Sequence, residues 1–259
     1  MTMFWLLVLA HLTADFLFGS YEMSPTQPVD FSSYCFTHGV ITFLATSFAL
    51  HIYGWRTALF AAGLLTAGHV LLDLLMSLWF FLWSRRHPRK QLGLVTLFVD
   101  QFLHCSMLVW VWRLFDRPPS VPVMTFYQIV LPLPTGAFSY DVGAIAIVAS
   151  GLILVCCVGA IIVRNFLDTI FANVKGFRDS ENSTGKYIGI LERLLIYILV
   201  LTDSLQGVAF LLTAKSITRY KRISEEQGFA EYYLIGTLLS VVWALLIGLG
   251  TQAILANRL

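Results

Sequence analysis

Seven ionisable side chains lie in stretches that are otherwise apolar enough to span a membrane: His11, Asp15, His38, His69, Asp73, Asp100 and His104. All but one of them form His/Asp pairs four residues apart, and side chains at that spacing share one face of an α-helix. Burying a charged side chain at the centre of a bilayer costs at least about 2.5–3.5 kcal/mol. Imidazoles and carboxylates together suit zinc, manganese or iron ions. The pattern therefore predicts a divalent metal site inside a helical bundle.

The charge of this set bears on the number of ions. Three ionised aspartates carry −3, which one divalent ion reduces to −1 and two divalent ions with a hydroxide reduce to zero. Neutrality favours two ions, with a carboxylate shared between them, although one ion stays an alternative. Gln101, beside Asp100, is a candidate hydrogen-bond donor to the ligands.

Two other roles are open to intramembrane histidines and aspartates. They also form proton relays, and they hydrogen-bond neighbouring helices to one another. His51 lies near a helix end and His87 lies in a basic loop. We expect both to be interfacial side chains and not metal ligands.

Composition defines the class of protein. The chain is 58% hydrophobic and 12% charged, whereas a soluble domain is about 25% charged. A net charge of +2 is too small to indicate nucleic-acid binding, and no basic, aromatic patch supports it, so we expect no nucleic-acid partner. Runs long enough to cross a bilayer lie near residues 3–19, 34–53, 57–83, 93–115, 141–172 and 232–256. We expect an all-α, polytopic transmembrane bundle of six or seven spans.

The number of spans depends on residues 187–222. Basic residues cluster at 85–90, 175–186 and 215–222, and the positive-inside rule places such clusters in the cytoplasm. All three share one side only if 187–222 forms a re-entrant or interfacial hairpin, broken near Thr202–Ser204. This hairpin gives six spans with both termini outside the cytoplasm, and a seventh span is the alternative.

A proline-rich segment divides the sequence. We expect an extended connector at 116–140, a four-helix unit with the His/Asp motifs at 1–115, and a C-terminal unit at 141–259. In the last unit the candidates for binding an anionic headgroup or phosphate are Arg193, Lys215 and Arg219, with Glu192 and Glu231 as charge partners. The alternative is that these cations only follow the positive-inside topology.

The chain resembles an uncharacterised bacterial family of multi-pass membrane proteins, a domain of unknown function that often occurs beside a small regulatory protein. The resemblance rests on the His/Asp motifs above and on three C-terminal strings: Gly189-Ile-Leu-Glu-Arg193, Ala214-Lys-Ser216 and Ala230-Glu-Tyr-Tyr-Leu-Ile-Gly-Thr-Leu-Leu-Ser240. It implies a bacterial inner-membrane location and no particular activity. The intramembrane His/Asp pattern alone is also similar to bacterial inner-membrane proteins labelled metal-dependent hydrolases.

These observations lead to one functional hypothesis and two alternatives. The hypothesis is a membrane-embedded, metal-dependent hydrolase of a lipid-linked or membrane-proximal ester or phosphoester, in which Asp15, Asp73 and Asp100 carry or bridge the metal and take part in catalysis. The first alternative is a transporter or channel for protons or divalent cations. The second is a non-catalytic membrane scaffold or stress sensor.

Overall fold

The computed structural model describes residues 1–19, 31–84, 92–130, 137–171, 183–225 and 228–257. Every regular element in these ranges is helical, which confirms the predicted all-α class. The α-helices are α1 (Thr2–Leu12), α2 (Phe31–Leu50), α3 (Trp55–Ser84), α4 (Leu92–Phe115), α5 (Val121–Val130), α6 (Ala137–Ile153), α7 (Gly159–Ile170), α8 (Ser183–Leu201), α9 (Leu205–Glu225) and α10 (Phe229–Ala256).

The helices form a polytopic membrane bundle. Among the described residues, five are long and apolar enough to cross a bilayer: Cys35–Tyr53, Trp55–Trp79, Gly93–Phe115, Val142–Ile170 and Phe229–Ala256. A shorter apolar helix covers Thr2–Phe18. With that helix included, the set matches the six apolar runs of the sequence.

Three helical segments depart from α geometry. A π-helical turn at Thr13–Phe18 continues α1, and a second at Leu154–Val158 joins α6 to α7 without a break. A short 3-10 turn at His51–Tyr53 ends α2. Each π turn carries an inserted residue and leaves backbone carbonyls outside the regular hydrogen-bond ladder.

The chain forms two compact units, Met1–Ser150 and Gly151–Leu259. Their boundary lies within α6, after the expected connector. That connector is not extended throughout, because it contains α5. Pro122 stands in the first turn of α5, where a missing N–H removes no intrahelical hydrogen bond.

In the first unit, a hydrophobic core holds α1, α2, α3 and α4 together. Its buried side chains include Met3, Leu6, Leu7, Leu50, Leu65, Leu108 and Val111. Gly68 allows α3 to approach α4, since a Cβ there would lie 2.6 Å from Met107 Sδ. The backbone N–H of Ser120 donates to Ile52 O over 2.9 Å and ties the start of α5 to the end of α2.

In the second unit, α8 and α9 are separated by a tight turn at 202–204. Asp203 adopts a left-handed conformation with φ 54°, which aspartate tolerates better than most residues. Gln252 Nε2 donates to Val200 O over 2.7 Å and to Asp203 Oδ1 over 3.1 Å. The predicted break near Thr202–Ser204 is confirmed, while the membrane side of the two helix ends stays a prediction.

Candidate metal centre

The first unit brings all seven predicted side chains into one cluster. They come from α1 with its π turn, α2, α3 and α4. The four imidazoles are buried, and the side chain of Asp15 is only 9% exposed. The side chains of Asp73 and Asp100 are 22% and 20% exposed. The cluster is therefore closed on its imidazole side and open at these two carboxylates.

One carboxylate oxygen lies at the centre of three imidazoles. Asp15 Oδ1 is 3.3 Å from His69 Nε2, 3.5 Å from His38 Nε2 and 3.6 Å from His11 Nδ1. The Nε2 atoms of His38 and His69 are 2.9 Å apart. Ligands bound at about 2.0–2.1 Å around a tetrahedral ion lie about 3.3 Å from one another. These atoms therefore have the mutual spacing of ligands around a shared ion.

Asp73 faces two different parts of the cluster. Its Oδ2 lies 3.7 Å from His69 Nε2 and 3.8 Å from His38 Nε2. Its Oδ1 lies 3.4 Å from His104 Nε2. Three groups in the cluster have ligand atoms close enough for one ion: His11, Asp15 and His69; His38, His69 and Asp73; and Asp73, Asp100 and His104.

The hydrogen bonds of two histidines fix which nitrogen carries a proton. His104 Nδ1 lies 2.9 Å from the backbone carbonyl of Asp100, which can only accept, so Nδ1 carries the hydrogen. By the same argument, His11 Nε2 donates to Gln101 Oε1 over 3.2 Å. The remaining nitrogens, His104 Nε2 and His11 Nδ1, are buried and have no hydrogen-bond partner. In the neutral imidazoles these two nitrogens carry lone pairs, and a metal ion bound there would satisfy both atoms, so the donor set fits a divalent cation.

Gln101 connects the two ends of the cluster. Besides accepting from His11, its Nε2 donates to Asp15 Oδ2 over 3.3 Å and to Asp100 Oδ2 over 3.1 Å. This is the position that the sequence analysis expected for a donor to the ligands. Each carboxylate keeps its Oδ1 directed at an imidazole nitrogen.

The π turn at Thr13–Phe18 contains Asp15 and so sets its direction. The i,i+4 spacing of His11 and Asp15 predicts a regular α-helix, and no residue between them indicates an insertion. π turns are rare and are frequently found at functional sites. The π turn is therefore the structural feature of the site that sequence reasoning missed.

In the second unit, Arg193 has a different environment from the one expected. It is 3% exposed. Its Nε donates to Val155 O over 2.9 Å, Nη2 donates to Cys156 O over 3.3 Å and Nη1 donates to Ser240 Oγ over 3.3 Å. Arg193 thus stabilises the carbonyls of the second π turn, and its described donors are directed at protein atoms instead of an open anion site.

The other charged candidates of this unit lie around α9. Lys215 Nζ is 2.5 Å from Glu192 Oε2, so these two residues form an ion pair. Arg219 is half-buried, and Glu231 is exposed in the first turn of α10. These positions leave a headgroup-binding role for Lys215 and Arg219 as a prediction.

Of the two other histidines, His51 lies apart from the cluster. His51 Nε2 is 2.5 Å from Tyr127 OH, so it joins the end of α2 to α5. His87 falls outside the described residues.

Fold and site together define a polytopic α-helical membrane protein with a buried histidine–aspartate cluster. A family model described as "Protein of unknown function (DUF3307)" matches residues 3–131. This segment is similar to that family, in agreement with the resemblance to an uncharacterised family. The match contains all seven cluster residues, and the C-terminal strings lie beyond it. No curated protein and no solved structure matches the chain.

Proposed function

We propose that the first unit is an intramembrane metal centre that hydrolyses an ester or phosphoester in or beside a bacterial inner membrane. The observation that carries this proposal is the pair of buried ring nitrogens without a hydrogen-bond partner, His11 Nδ1 and His104 Nε2. Each is within 3.6 Å of a carboxylate oxygen. A buried imidazole nitrogen without a partner is costly, and an ion offsets that cost.

The open side of the cluster favours a catalytic metal site over a purely structural one. Structural metal sites are closed by protein ligands, whereas catalytic sites keep a position for water or substrate. Here the imidazoles are buried and the carboxylates of Asp73 and Asp100 are partly exposed. We expect water and substrate to reach the cluster at these two side chains.

The chemistry follows from the donor set. A divalent ion bound here would lower the pKa of a water and polarise the ester or phosphoryl oxygen. The water oxygen forms a bond to the acyl carbon or phosphorus, the bond to the alcohol oxygen breaks, and the alcohol takes up the proton. Asp100, which is partly exposed, lies on the side from which that water would approach.

Metal content is the first test. The protein is purified in detergent without added metal, and its ions are counted by elemental mass spectrometry for the wild type, Asp73→Ala and His104→Ala. Asp116→Asn, at an exposed position after α4, is the matched control. We expect near-stoichiometric metal in the wild type and the control, and loss in both cluster variants. A wild type that stays metal-free after reloading with Zn²⁺ or Mn²⁺ would overturn the proposal.

Activity separates hydrolysis from the alternatives. Detergent-solubilised wild type and Asp73→Asn are assayed on chromogenic esters and phosphoesters. Hydrolysis that needs both the metal and Asp73 supports the enzyme. Metal binding with flux through sealed liposomes but no turnover indicates a transporter, and metal binding with neither indicates a scaffold.

A further inference from the structure

We propose that the cluster holds two ions bridged by Asp73, and that its substrate is an anionic phosphoester instead of a neutral carboxylic ester. This inference rests on the proposed function and deepens it. Asp73 directs its two oxygens at different imidazoles, Oδ2 at His38 and His69 and Oδ1 at His104. A carboxylate arranged in this way is suited to bridge two ions.

The two positions have different ligands. The inner position has Asp15 Oδ1, His11 Nδ1, His38 Nε2 and His69 Nε2, together with Asp73 Oδ2. The outer position has Asp73 Oδ1 and His104 Nε2, and Asp100 belongs to the same group of possible ligands. With fewer protein ligands and both exposed carboxylates, the outer position is the one that has room for water and substrate. We expect it to bind its ion more weakly than the inner position.

Ion count determines the charge of the ligand that the site accepts. With neutral imidazoles and ionised Asp15, Asp73 and Asp100, one divalent ion leaves −1, which repels an anion. Two divalent ions leave +1, which a singly charged phosphodiester neutralises. In a site of low dielectric constant this difference decides which ligand enters. Paired ions also stabilise the attacking and leaving oxygens of phosphoryl transfer.

The test counts ions and detects their coupling. The purified full-length protein is reconstituted with Mn²⁺ alone, and electron paramagnetic resonance reports whether the ions are magnetically coupled. We expect two coupled ions per chain in the wild type and in the control variant Asp116→Asn. Asp100→Asn should hold one uncoupled ion, and Asp73→Asn should lose the coupled signal. Circular dichroism and size-exclusion chromatography confirm that each variant is folded.

The outcomes separate this inference from the proposed function. One uncoupled ion per wild-type chain, with hydrolysis intact, overturns the two-ion site and leaves the hydrolase. No bound ion overturns both. For substrate class, we expect the wild type to hydrolyse bis(p-nitrophenyl) phosphate and Asp100→Asn to lose at least about 100-fold in rate. Turnover of p-nitrophenyl acetate alone would overturn the phosphoester assignment.

A last comparison distinguishes the source of the phosphoester. The same protein is assayed on bis(p-nitrophenyl) phosphate in solution and on a phospholipid in detergent micelles. Faster turnover of the phospholipid assigns the site to a lipid headgroup. Faster turnover of the soluble diester assigns the site to a water-soluble phosphoester. Either result supports a phosphoester as the substrate class.

Discussion

His38 and His69 are 31 residues apart in the chain, and their Nε2 atoms lie 2.9 Å from each other. Without an ion, one of these nitrogens must carry a hydrogen and the other must accept it. With an ion between them and Asp15 Oδ1, both nitrogens present lone pairs. The two histidines are therefore expected to act as one unit in metal binding.

This relationship predicts a strongly non-additive pair of substitutions. His38→Gln and His69→Gln should each weaken the tighter ion by at least about 100-fold, since even residues that only support ligands account for about 10–100-fold. The double variant should lose much less than the product of the two effects. Competition with a fluorescent chelator measures all four affinities. Full additivity would show that the two imidazoles do not share an ion.

Gln101 is predicted to position ligands without binding metal. Gln101→Leu removes the acceptor that fixes the proton of His11 and the donor to Asp15 and Asp100. Metal affinity should fall by about 10–100-fold while the number of ions at saturation is unchanged. Gln252→Leu, whose contacts lie in the second unit, is the control and should leave affinity at the wild-type value. An unchanged affinity in Gln101→Leu would contradict this role.

Arg193 is predicted to stabilise the second unit. Arg193→Met leaves the carbonyls of Val155 and Cys156 without their donors, and each unsatisfied buried group costs about 1–3 kcal/mol. We expect unfolding to become easier by about 2–4 kcal/mol, measured by denaturant titration in mixed micelles. Arg117→Met, at an exposed position, should leave the denaturant midpoint of unfolding unchanged. Equal stability of the two variants would contradict the stabilising role of Arg193.

Close helix packing in the second unit predicts a contrast between two glycines of α10. A Cβ at Gly248 would lie 2.8 Å from Val200 Cγ1 and 2.9 Å from its Cβ. Valine is stiff at this position in a helix, so Gly248→Ala should destabilise the unit by about 1–3 kcal/mol. Gly250 has no atom within 4 Å of the same point, and Gly250→Ala is the matched control. Thermal unfolding of the two variants provides the comparison.

The hairpin formed by α8 and α9 predicts a topology. If the two helices form a hairpin around the turn at 202–204, Tyr187 and Ser224 face the same side of the membrane. Single cysteines at these positions, in a variant without the native cysteines, are labelled from one side with a membrane-impermeant maleimide. Labelling of both from the same side supports the hairpin. Labelling from opposite sides would establish a seventh span.

The sequence predicted the helical class, the members of the His/Asp cluster and the break near Asp203. These features follow from local rules, namely apolar run length, i,i+4 spacing and charges that are disfavoured facing lipid. The environment of Arg193 was not predictable in the same way. Its partners, Val155, Cys156 and Ser240, come from helices distant in sequence, and a positively charged residue near a helix end has the same sequence signature whether it is buried or at the surface.

The directions of the two Asp73 oxygens were also not predictable from local sequence rules. Spacing places Asp73 on the face of His69, but only the packing of α3 against α4 directs Oδ1 at His104. The helix α5 was missed because proline was taken as a mark of extended chain, whereas proline in a first turn is compatible with a helix.

The π turn at Thr13–Phe18 makes the site sensitive to the length of its helix. Removing one residue from this turn would restore an α-helix and rotate every earlier side chain, His11 included, by about 100° relative to those that follow. His11 and Asp15 would then no longer meet the same imidazoles. Single-residue insertions and deletions are therefore expected to be rarer here than substitutions when relatives of this chain are compared.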